Sequence, residues 1–329
     1  MNASILIATF RRSASLRITL QSLAEQLPVA EAENWEVIVV DNEVAGSTAA
    51  LCAEPWPFAV RYVPEPRLGK SHALNTGLRE VRGRWVLLTD DDVSLGPDWL
   101  RGYFEAFRRY PDAAFFGGRV IGQLPPKVPE WVEANPGHLL FLPRYEQGAE
   151  ERVVRRRGEL SWFIGANMAY RATALVAAGG FDHRVGPSGN YRMAGSRHGG
   201  EESVVQGKLL DLGAYGVYLP QVEVFHRDEP ERLTLRYSWW YYKGYGRDEA
   251  LHGVLPEEWG GGLGKIRPLL RAIGGGVVRM ILGRSDPRVW YPAFVLTASA
   301  LGAFRVLVRE RHLHLGSRGP QDGGGYAPT

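Results

Sequence analysis

Three adjacent carboxylates, Asp90, Asp91 and Asp92, follow the apolar run Trp85–Leu88 and a threonine. Like charges this close repel one another, so a compensating partner is expected. Side chains two residues apart in an extended chain point to the same side, which places Asp90 and Asp92 together. Two hard oxygen ligands on one side suit Mg²⁺ or Mn²⁺ shared with a diphosphate. The alternative is a solvated acidic turn, because D-x-D alone is a weak motif.

A second carboxylate pair, Glu201 and Glu202, follows Gly200 at the start of a predicted helix over residues 201–212. A carboxylate can act as a general base toward a hydroxyl group. Acidic residues in the first turn of a helix also stabilise its macrodipole without any chemical role. The residue pattern leaves both interpretations open.

Short strands that alternate with helices must position these carboxylates. Strand patterns cover residues 4–9, 35–40, 60–63 and 84–89, and helical patterns cover residues 15–27 and 70–81. This alternation predicts an α/β fold with a mostly parallel sheet. Ligands in such folds gather beyond the carboxyl ends of the strands, which is where the aspartate triplet lies.

Further elements are predicted after residue 97. Helices are expected over residues 98–110 and 172–178, and strands over residues 115–121, 161–170, 215–219 and 222–226. The last two strands are expected at the sheet edge, separated by Pro220. Residues 124–143 are expected to be irregular, and residues 186–200 form a glycine-rich loop that could act as a flap.

Composition restricts the class of protein. The 329 residues, 45% hydrophobic and 23% charged, predict one large or two modest globular domains. A net charge of +3 gives no reason to expect a nucleic-acid partner. The single cysteine, Cys52, excludes an internal disulfide and is expected to be a small buried side chain. The N-terminus has no secretory signal pattern, so a cytoplasmic location is expected.

The C-terminal third combines arginines with aliphatic side chains in a basic amphipathic pattern, from Arg267 to Arg284. Such helices can rest on the inner face of a membrane, as a peripheral contact. They can also pack on the catalytic domain or on a second subunit, so a homo-oligomer stays open. The apolar segment Val289–Phe304 contains Pro292 and falls short of the roughly 20 residues that cross a bilayer.

Five patches occur in order along the chain: Ile5–Arg12, Val39–Asn42, Gly69–Gly77, Asp90–Asp92 and Gly200–Glu202. Together they resemble the family-2 glycosyltransferases of GT-A fold, a Rossmann-like sheet with helices on both faces. The likeness continues through Gly165–Arg171, Gly179–Asp182 and Leu219–His226.

The resemblance implies a catalytic domain over residues 1–230. Its nucleotide-sugar-binding half covers residues 1–122, and its acceptor-binding half covers residues 123–230. C-terminal helices over residues 231–315 and a flexible tail over residues 316–329 would follow.

The resemblance implies nucleotide-binding roles for four residues. Thr9 and Asp41 would hold the base and ribose, Lys70 would meet phosphate or an aspartate, and Asn75 would orient the nucleotide. Asp41 could instead cap a helix, and Asn75 could instead pack on a helix face.

The resemblance also implies the metal site and the base. Asp92 would ligate the metal, Asp90 would contact ribose or a metal-bound water, and Asp91 would support them. His226 falls where relatives place a histidine near the metal, although a structural hydrogen bond is an equal alternative. Glu202 takes the position of the family's catalytic base, and Glu201 is the alternative.

The expected function is a metal-dependent inverting transfer of a sugar from a nucleoside-diphosphate sugar. UDP is the default donor nucleotide, and the acceptor is a hydroxyl of a glycan, a lipid-linked molecule or a small molecule. A catalytically silent nucleotide-sugar-binding protein is one alternative, because Glu-Glu replaces the family's usual Glu-Asp. A nucleotidyltransferase is less favoured, because Phe10-Arg11-Arg12-Ser13 stands where a glycine-rich phosphate loop would follow the first strand.

Overall fold

A computed structural model describes residues 1–26, 34–185, 200–251 and 266–316. The chain divides into two compact units, Met1–Tyr237 and Ser238–Thr329. In their described parts, the first unit contains a nine-stranded sheet flanked by helices and the second is helical. The predictions for residues 186–199 and 317–329 lie outside the described residues.

The first half of the sheet is parallel. Its strands are β1 (Ala3–Thr9), β2 (Trp35–Asp41), β3 (Val60–Pro64) and β4 (Trp85–Asp90), in the order β3-β2-β1-β4. The connecting helices are α1 (Ser13–Ala24), α2 (Thr48–Cys52) and α3 (Lys70–Glu80). Every residue of β2 is buried, as expected for a parallel strand covered on both faces. The predicted strands are confirmed here, and Cys52 is buried as expected.

The strand register aligns the candidate residues. Thr9 pairs with Asp41 across β1 and β2, and Ala8 pairs with Asp90 across β1 and β4. Because the three strands are parallel, their carboxyl ends form one edge. Thr9, Asp41 and Asp90 therefore end neighbouring strands at the same side of the sheet.

The second half of the sheet is mixed. Its strands are β5 (Val93–Leu95), β6 (Phe115–Gln123), β7 (Arg152–Val154), β8 (Asn167–Arg171) and β9 (Gly216–Arg227). They continue the order as β4-β8-β6-β9-β5, and β7 also pairs with β9. β8 runs antiparallel to β4 and β6, whereas β6 and β9 are parallel. The accompanying helices are α4 (Trp99–Arg109), α5 (Glu130–Glu133), α6 (Ala172–Ala177) and α7 (Glu201–Asp211).

Two strand predictions differ from the structure. The strand expected over residues 161–170 begins only at Asn167. Upstream, the Gln206 side chain accepts a hydrogen bond from the Phe163 amide (2.9 Å) and donates one to the Phe163 carbonyl (3.0 Å), so a side chain replaces the neighbouring strand.

The two expected edge strands are one strand, β9, which lies between β6 and β5. Its pairing with β6 jumps from Leu219 to Glu223. Pro220, which has no N–H to donate, is accommodated in this irregularity.

The second unit contains α8 (Leu235–Leu251), which begins at the end of the first unit, then α9 (Ile266–Leu282) and α10 (Pro287–Gly316). The helix α10 continues through Pro292, which lies in its second turn and removes one hydrogen bond, to the Arg288 carbonyl. Among the described residues, Pro287–Val308 is the one helical segment long and apolar enough to cross a membrane. The expectation that this region is too short is therefore wrong, because the helix extends beyond Val289–Phe304 at both ends. Of the most apolar 18-residue window of Pro287–Val308, 44% is buried in the protein.

Replacement of Gly77 tests the packing of α3 on the sheet. A Cβ atom at this position would lie 2.1 Å from Leu6 Cδ1 and 2.9 Å from Val40 Cγ2, and both neighbours are fully buried. We expect Gly77→Ala to lower the free energy of unfolding by about 1–3 kcal/mol in urea denaturation, despite the better helix propensity of alanine. Gly137→Ala is the matched control, because a Cβ there meets no atom within 4 Å. Equal stability of both variants would contradict this packing.

Candidate active site

The aspartate triplet lies at the carboxyl edge of the parallel strands. Asp90 is the last residue of β4, and Asp91 and Asp92 form the turn that leads into β5. The Thr9 hydroxyl donates a hydrogen bond to Asp91 Oδ2 at 2.6 Å. Burial, followed by the charge of Asp92, raises the pKa of Asp91 to about 7. Asp91 thus connects the turn to β1 through a buried hydrogen bond.

Asp90, Asp92 and His226 come together as a candidate metal site. One ligand atom from each lies within 4.8 Å of the other two. His226 Nε2 is 3.1 Å from Asp92 Oδ1, and His226 Nδ1 is 3.2 Å from Asp228 Oδ1. When Nδ1–H donates to Asp228, Nε2 is left to ligate a metal, an arrangement common at histidine-metal centres. Nε2 is buried, and although Asp92 Oδ1 is close, Nε2 makes no hydrogen bond of normal geometry with any residue that the structure describes, so the donor set fits a divalent ion.

The protonation of His226 depends on its carboxylate neighbours. Burial opposes the imidazolium, but Asp92 and Asp228 together raise the pKa of His226 above its ordinary value. Metal ligands must be deprotonated, so an ion bound at Nε2 takes the place of this proton. The pocket can therefore hold a positive charge either as the proton of the imidazolium or as a bound metal ion.

Two arginines meet at the other oxygen of Asp92. Arg12 and Arg232 each place a guanidinium nitrogen 2.7 Å from Asp92 Oδ2. Burial disfavours the charged carboxylate, yet Arg232, His226 and Arg12 hold the pKa of Asp92 well below its usual range. Arg12 also contacts Asp91 at 3.3 Å and Glu229 at 2.9 Å. These cations provide the compensation that three adjacent carboxylates require.

Lys70 connects the aspartates to the glutamate pair. It opens α3 after Gly69, whose φ of 134° favours glycine. Its Nζ lies 3.1 Å from Asp90 Oδ1, 3.0 Å from Glu202 Oε1 and 3.5 Å from Glu201 Oε1. Burial opposes this charge, but the three carboxylates raise the pKa of Lys70 well above its usual value. The contact with Asp90 is the aspartate partner predicted for Lys70, and its contact with a phosphate stays a prediction.

The two glutamates differ in environment. Glu201 is fully buried, and neither carboxylate oxygen has a hydrogen-bond partner among the described residues. Burial, followed by the charge of Glu202, raises the pKa of Glu201 to about 8. Glu202 Oε1 faces Lys70, and a Cβ added to Gly165 would lie only 1.9 Å from that oxygen. Any side chain at position 165 would therefore clash with the Glu202 carboxylate.

Asn75 and Asp41 have structural partners in place. The Asn75 amide donates to the Phe181 carbonyl at 2.7 Å and accepts from the Phe181 amide at 2.9 Å. Asp41 is fully buried, which raises its pKa, and its Oδ1 accepts from the Glu43 amide at 2.8 Å. Their contacts with a nucleotide stay predictions, as does that of Thr9.

Sequence reasoning assigned no role to Arg12, Asp228 or Arg232. Arg12 lies three residues after the carboxyl end of β1, and Asp228 lies two residues after His226, so the sequence placed both next to predicted site residues. Arg232 lies in a short turn beyond β9, where no motif pointed to the site.

Comparison with known proteins gives the family. The model described as "Glycosyl transferase family 2" matches residues 4–177, which is more than half of the chain. The chain belongs to glycosyltransferase family 2. The enzyme is therefore a glycosyltransferase, as the resemblance predicted.

Individual relatives agree with this assignment. The succinoglycan biosynthesis protein ExoM of Rhizobium meliloti is 28% identical over 267 residues, which are 80% of this chain and 78% of the relative. A glucosyl-dolichyl phosphate glucuronosyltransferase of Haloferax volcanii is 24% identical over 262 residues, covering 75% and 76% of the two chains.

A solved structure confirms the fold class. The mannosyltransferase PcManGT of Pyrobaculum calidifontis, solved with GDP-Man and Mn²⁺, superposes with a TM-score of 0.53 at 18% identity. The match covers 97% of this chain and 76% of that one. The predicted GT-A class is confirmed.

Replacement of Glu201 tests its protonation. The pKa of Glu201 rises from an ordinary 4.5 to about 8 on folding, so the folded protein holds a proton that the unfolded chain releases. The stability from this proton is complete below pH ~4.5 and is lost as the pH rises through ~8. We expect thermal unfolding of Glu201→Gln to depend less on pH between 5 and 8.5 than that of the unsubstituted protein. Glu130→Gln, an exposed control, should keep the original slope. An unchanged slope in Glu201→Gln would show that Glu201 is ionised.

Proposed function

We propose that the enzyme is a metal-dependent inverting glycosyltransferase. It moves a sugar from a nucleoside-diphosphate sugar, UDP-linked by default, to a hydroxyl of a glycan, lipid-linked or small-molecule acceptor. The observation that carries the proposal is that Lys70 contacts both the aspartate cluster and the glutamate pair, since its Nζ lies about as close to Asp90 as to Glu202. The aspartate cluster is suited to bind a metal ion and a diphosphate, and the glutamate pair is suited to accept a proton from a hydroxyl.

The comparisons support the donor and acceptor classes. The similar solved structure contains GDP-Man and Mn²⁺, and the name of the similar Haloferax volcanii enzyme includes glucosyl-dolichyl phosphate, a lipid-linked sugar. We therefore propose a lipid-linked acceptor as the first class to test. A cytoplasmic enzyme with a peripheral contact at the inner face of a membrane would meet both substrates.

Asp90, Asp92 and His226 would hold the metal, Mg²⁺ or Mn²⁺. The nitrogen ligand favours Mn²⁺ over Mg²⁺. The ion supplies positive charge to the departing diphosphate when bound. Arg12 and Arg232 place guanidinium groups beside this position, and guanidinium matches phosphate oxygens in geometry.

Glu202 is the proposed base. It accepts the proton of the acceptor hydroxyl while the hydroxyl oxygen attacks the anomeric carbon. The bond from that carbon to the diphosphate oxygen breaks, and the nucleoside diphosphate leaves with the electron pair. Direct attack from the opposite face inverts the configuration. Burial and the charge of Glu202 raise the pKa of Glu201 to about 8, which disfavours the ionised form that a base requires.

Glu202→Gln tests the base. The amide keeps the size of the side chain but cannot take a proton, so we expect transfer to fall roughly 10²–10⁴-fold while donor affinity is retained. Product formation and titration of the nucleotide sugar measure the two effects. Gly165→Ala, which displaces Glu202, should also reduce turnover, and the exposed control Glu130→Gln should not. Full activity of Glu202→Gln would remove Glu202 from the reaction.

Removal of the metal tests the proposed metal site of Asp90, Asp92 and His226. We expect a chelator to abolish transfer and Mn²⁺ to restore it. Asp228→Asn should weaken Mn²⁺ binding, followed by electron paramagnetic resonance, roughly 10–100-fold, because partners of a ligating histidine tune metal affinity to that extent. Asp98→Asn, at an exposed aspartate, is the matched control. Turnover that is indifferent to the chelator would contradict the metal assignment.

A further inference from the structure

The helices α9 and α10 form a hairpin with exposed aliphatic side chains at its turn. These side chains, called the hairpin surface, are 42–79% exposed: Val277, Val278, Ile281, Leu282 and Val289. They lie at the end of α9 and the start of α10, which are joined by residues 283–286. Large aliphatic groups concentrated at one exposed site indicate a binding surface rather than scattered surface residues.

The opposite face of α9 already has its partner. A Cβ on Gly276 would lie 2.0 Å from Thr297 Oγ1, which shows how closely the two helices approach. Leu269, Ala300 and Ala303 form a buried cluster between the same helices. Since this face is occupied within the hairpin, the hairpin surface is additional to the internal core.

The charge around the hairpin surface is strongly basic. Residues 266–308 contain one acidic side chain, Asp286, and six arginines: Arg267, Arg271, Arg279, Arg284, Arg288 and Arg305. The first five arginines are exposed, and three of them share α9 with the exposed aliphatic groups. This combination matches a surface that offers both an apolar layer and negative charge.

We propose that the hairpin surface docks on an anionic phospholipid bilayer. The aliphatic side chains enter the boundary between headgroups and acyl chains, and the arginines contact lipid phosphates. This proposal specifies the membrane contact on which the proposed function relies, but it does not depend on the transfer chemistry.

Two other occupants fit the hairpin surface less well. A symmetric contact with a second copy would bring the same patch onto itself and set arginine against arginine. A fully inserted α10 would expose to lipid a helix of which nearly half the most apolar window is buried against protein.

Vesicle flotation with the full chain tests the proposal. We expect flotation with phosphatidylglycerol-containing vesicles, little with pure phosphatidylcholine, and release by high salt. Arg271→Glu/Arg279→Glu should weaken the partition at least roughly 25-fold, because each lost arginine removes about fivefold near an anionic surface. Ile281→Ser/Leu282→Ser should also abolish flotation, since both side chains are largely exposed in the free protein.

Matched controls separate docking from general surface effects. Val176→Ser/Leu212→Ser replaces two aliphatic residues of similar exposure in the first unit and should float normally. Circular dichroism and thermal unfolding show that each variant is folded, and donor hydrolysis without vesicles reports the transfer site separately. Wild-type flotation by the hairpin variants, flotation independent of lipid charge, resistance to salt extraction, or a stable dimer lost in the hairpin variants would each overturn the proposal.

Discussion

The structure of the site depends on neutralising five carboxylates in a small volume. Asp91, Asp92, Glu201 and Glu202 are buried and Asp90 is partly buried, so unpaired negative charge here would be costly. Arg12, Arg232 and Lys70 supply the opposing charge. Each cation comes from a different part of the chain, so the site forms only when β1, α3 and the segment after β9 have assembled. Folding and the electrostatics of the site are thereby linked.

This neutralisation divides the carboxylates into different states. The cations around Asp92 hold its pKa well below the usual range, whereas burial raises the pKa of Glu201, whose carboxylate oxygens have no hydrogen-bond partner in the part of the chain that the structure describes. Titratable groups whose environments push their pKa values apart are the usual basis for assigning an acid, a base or a ligand role. Lys70 lies between the two sets and contacts both. It joins the aspartates and the glutamates electrostatically.

The sheet explains how distant residues reach this point. The parallel strands β1, β2 and β4 end at one edge, and β9 returns between β6 and β5 to bring His226 to the same place. Gly69 and Gly200 start α3 and α7 with backbone angles that other residues rarely adopt. Lys70 and Glu201 follow these glycines directly, so two helix starts deliver ionisable side chains to the carboxyl edge.

The sequence alone determined the alternating first half of the sheet, because strand and helix periodicities are local properties of the chain. It also singled out Asp90, Asp92, His226 and the glutamate pair as candidates, since local motifs in a fixed order marked them, and their roles stay predictions. It did not show that residues 161–166 lack a strand, because the Gln206 side chain, which bonds the Phe163 backbone in place of a neighbouring strand, is about 40 residues away. It did not predict that Arg232 lies at the site, nor that Glu201 and Glu202 have different surroundings. Those properties arise from burial and from charges brought together across the whole first unit, and only the tertiary structure decides which groups share a low-dielectric pocket.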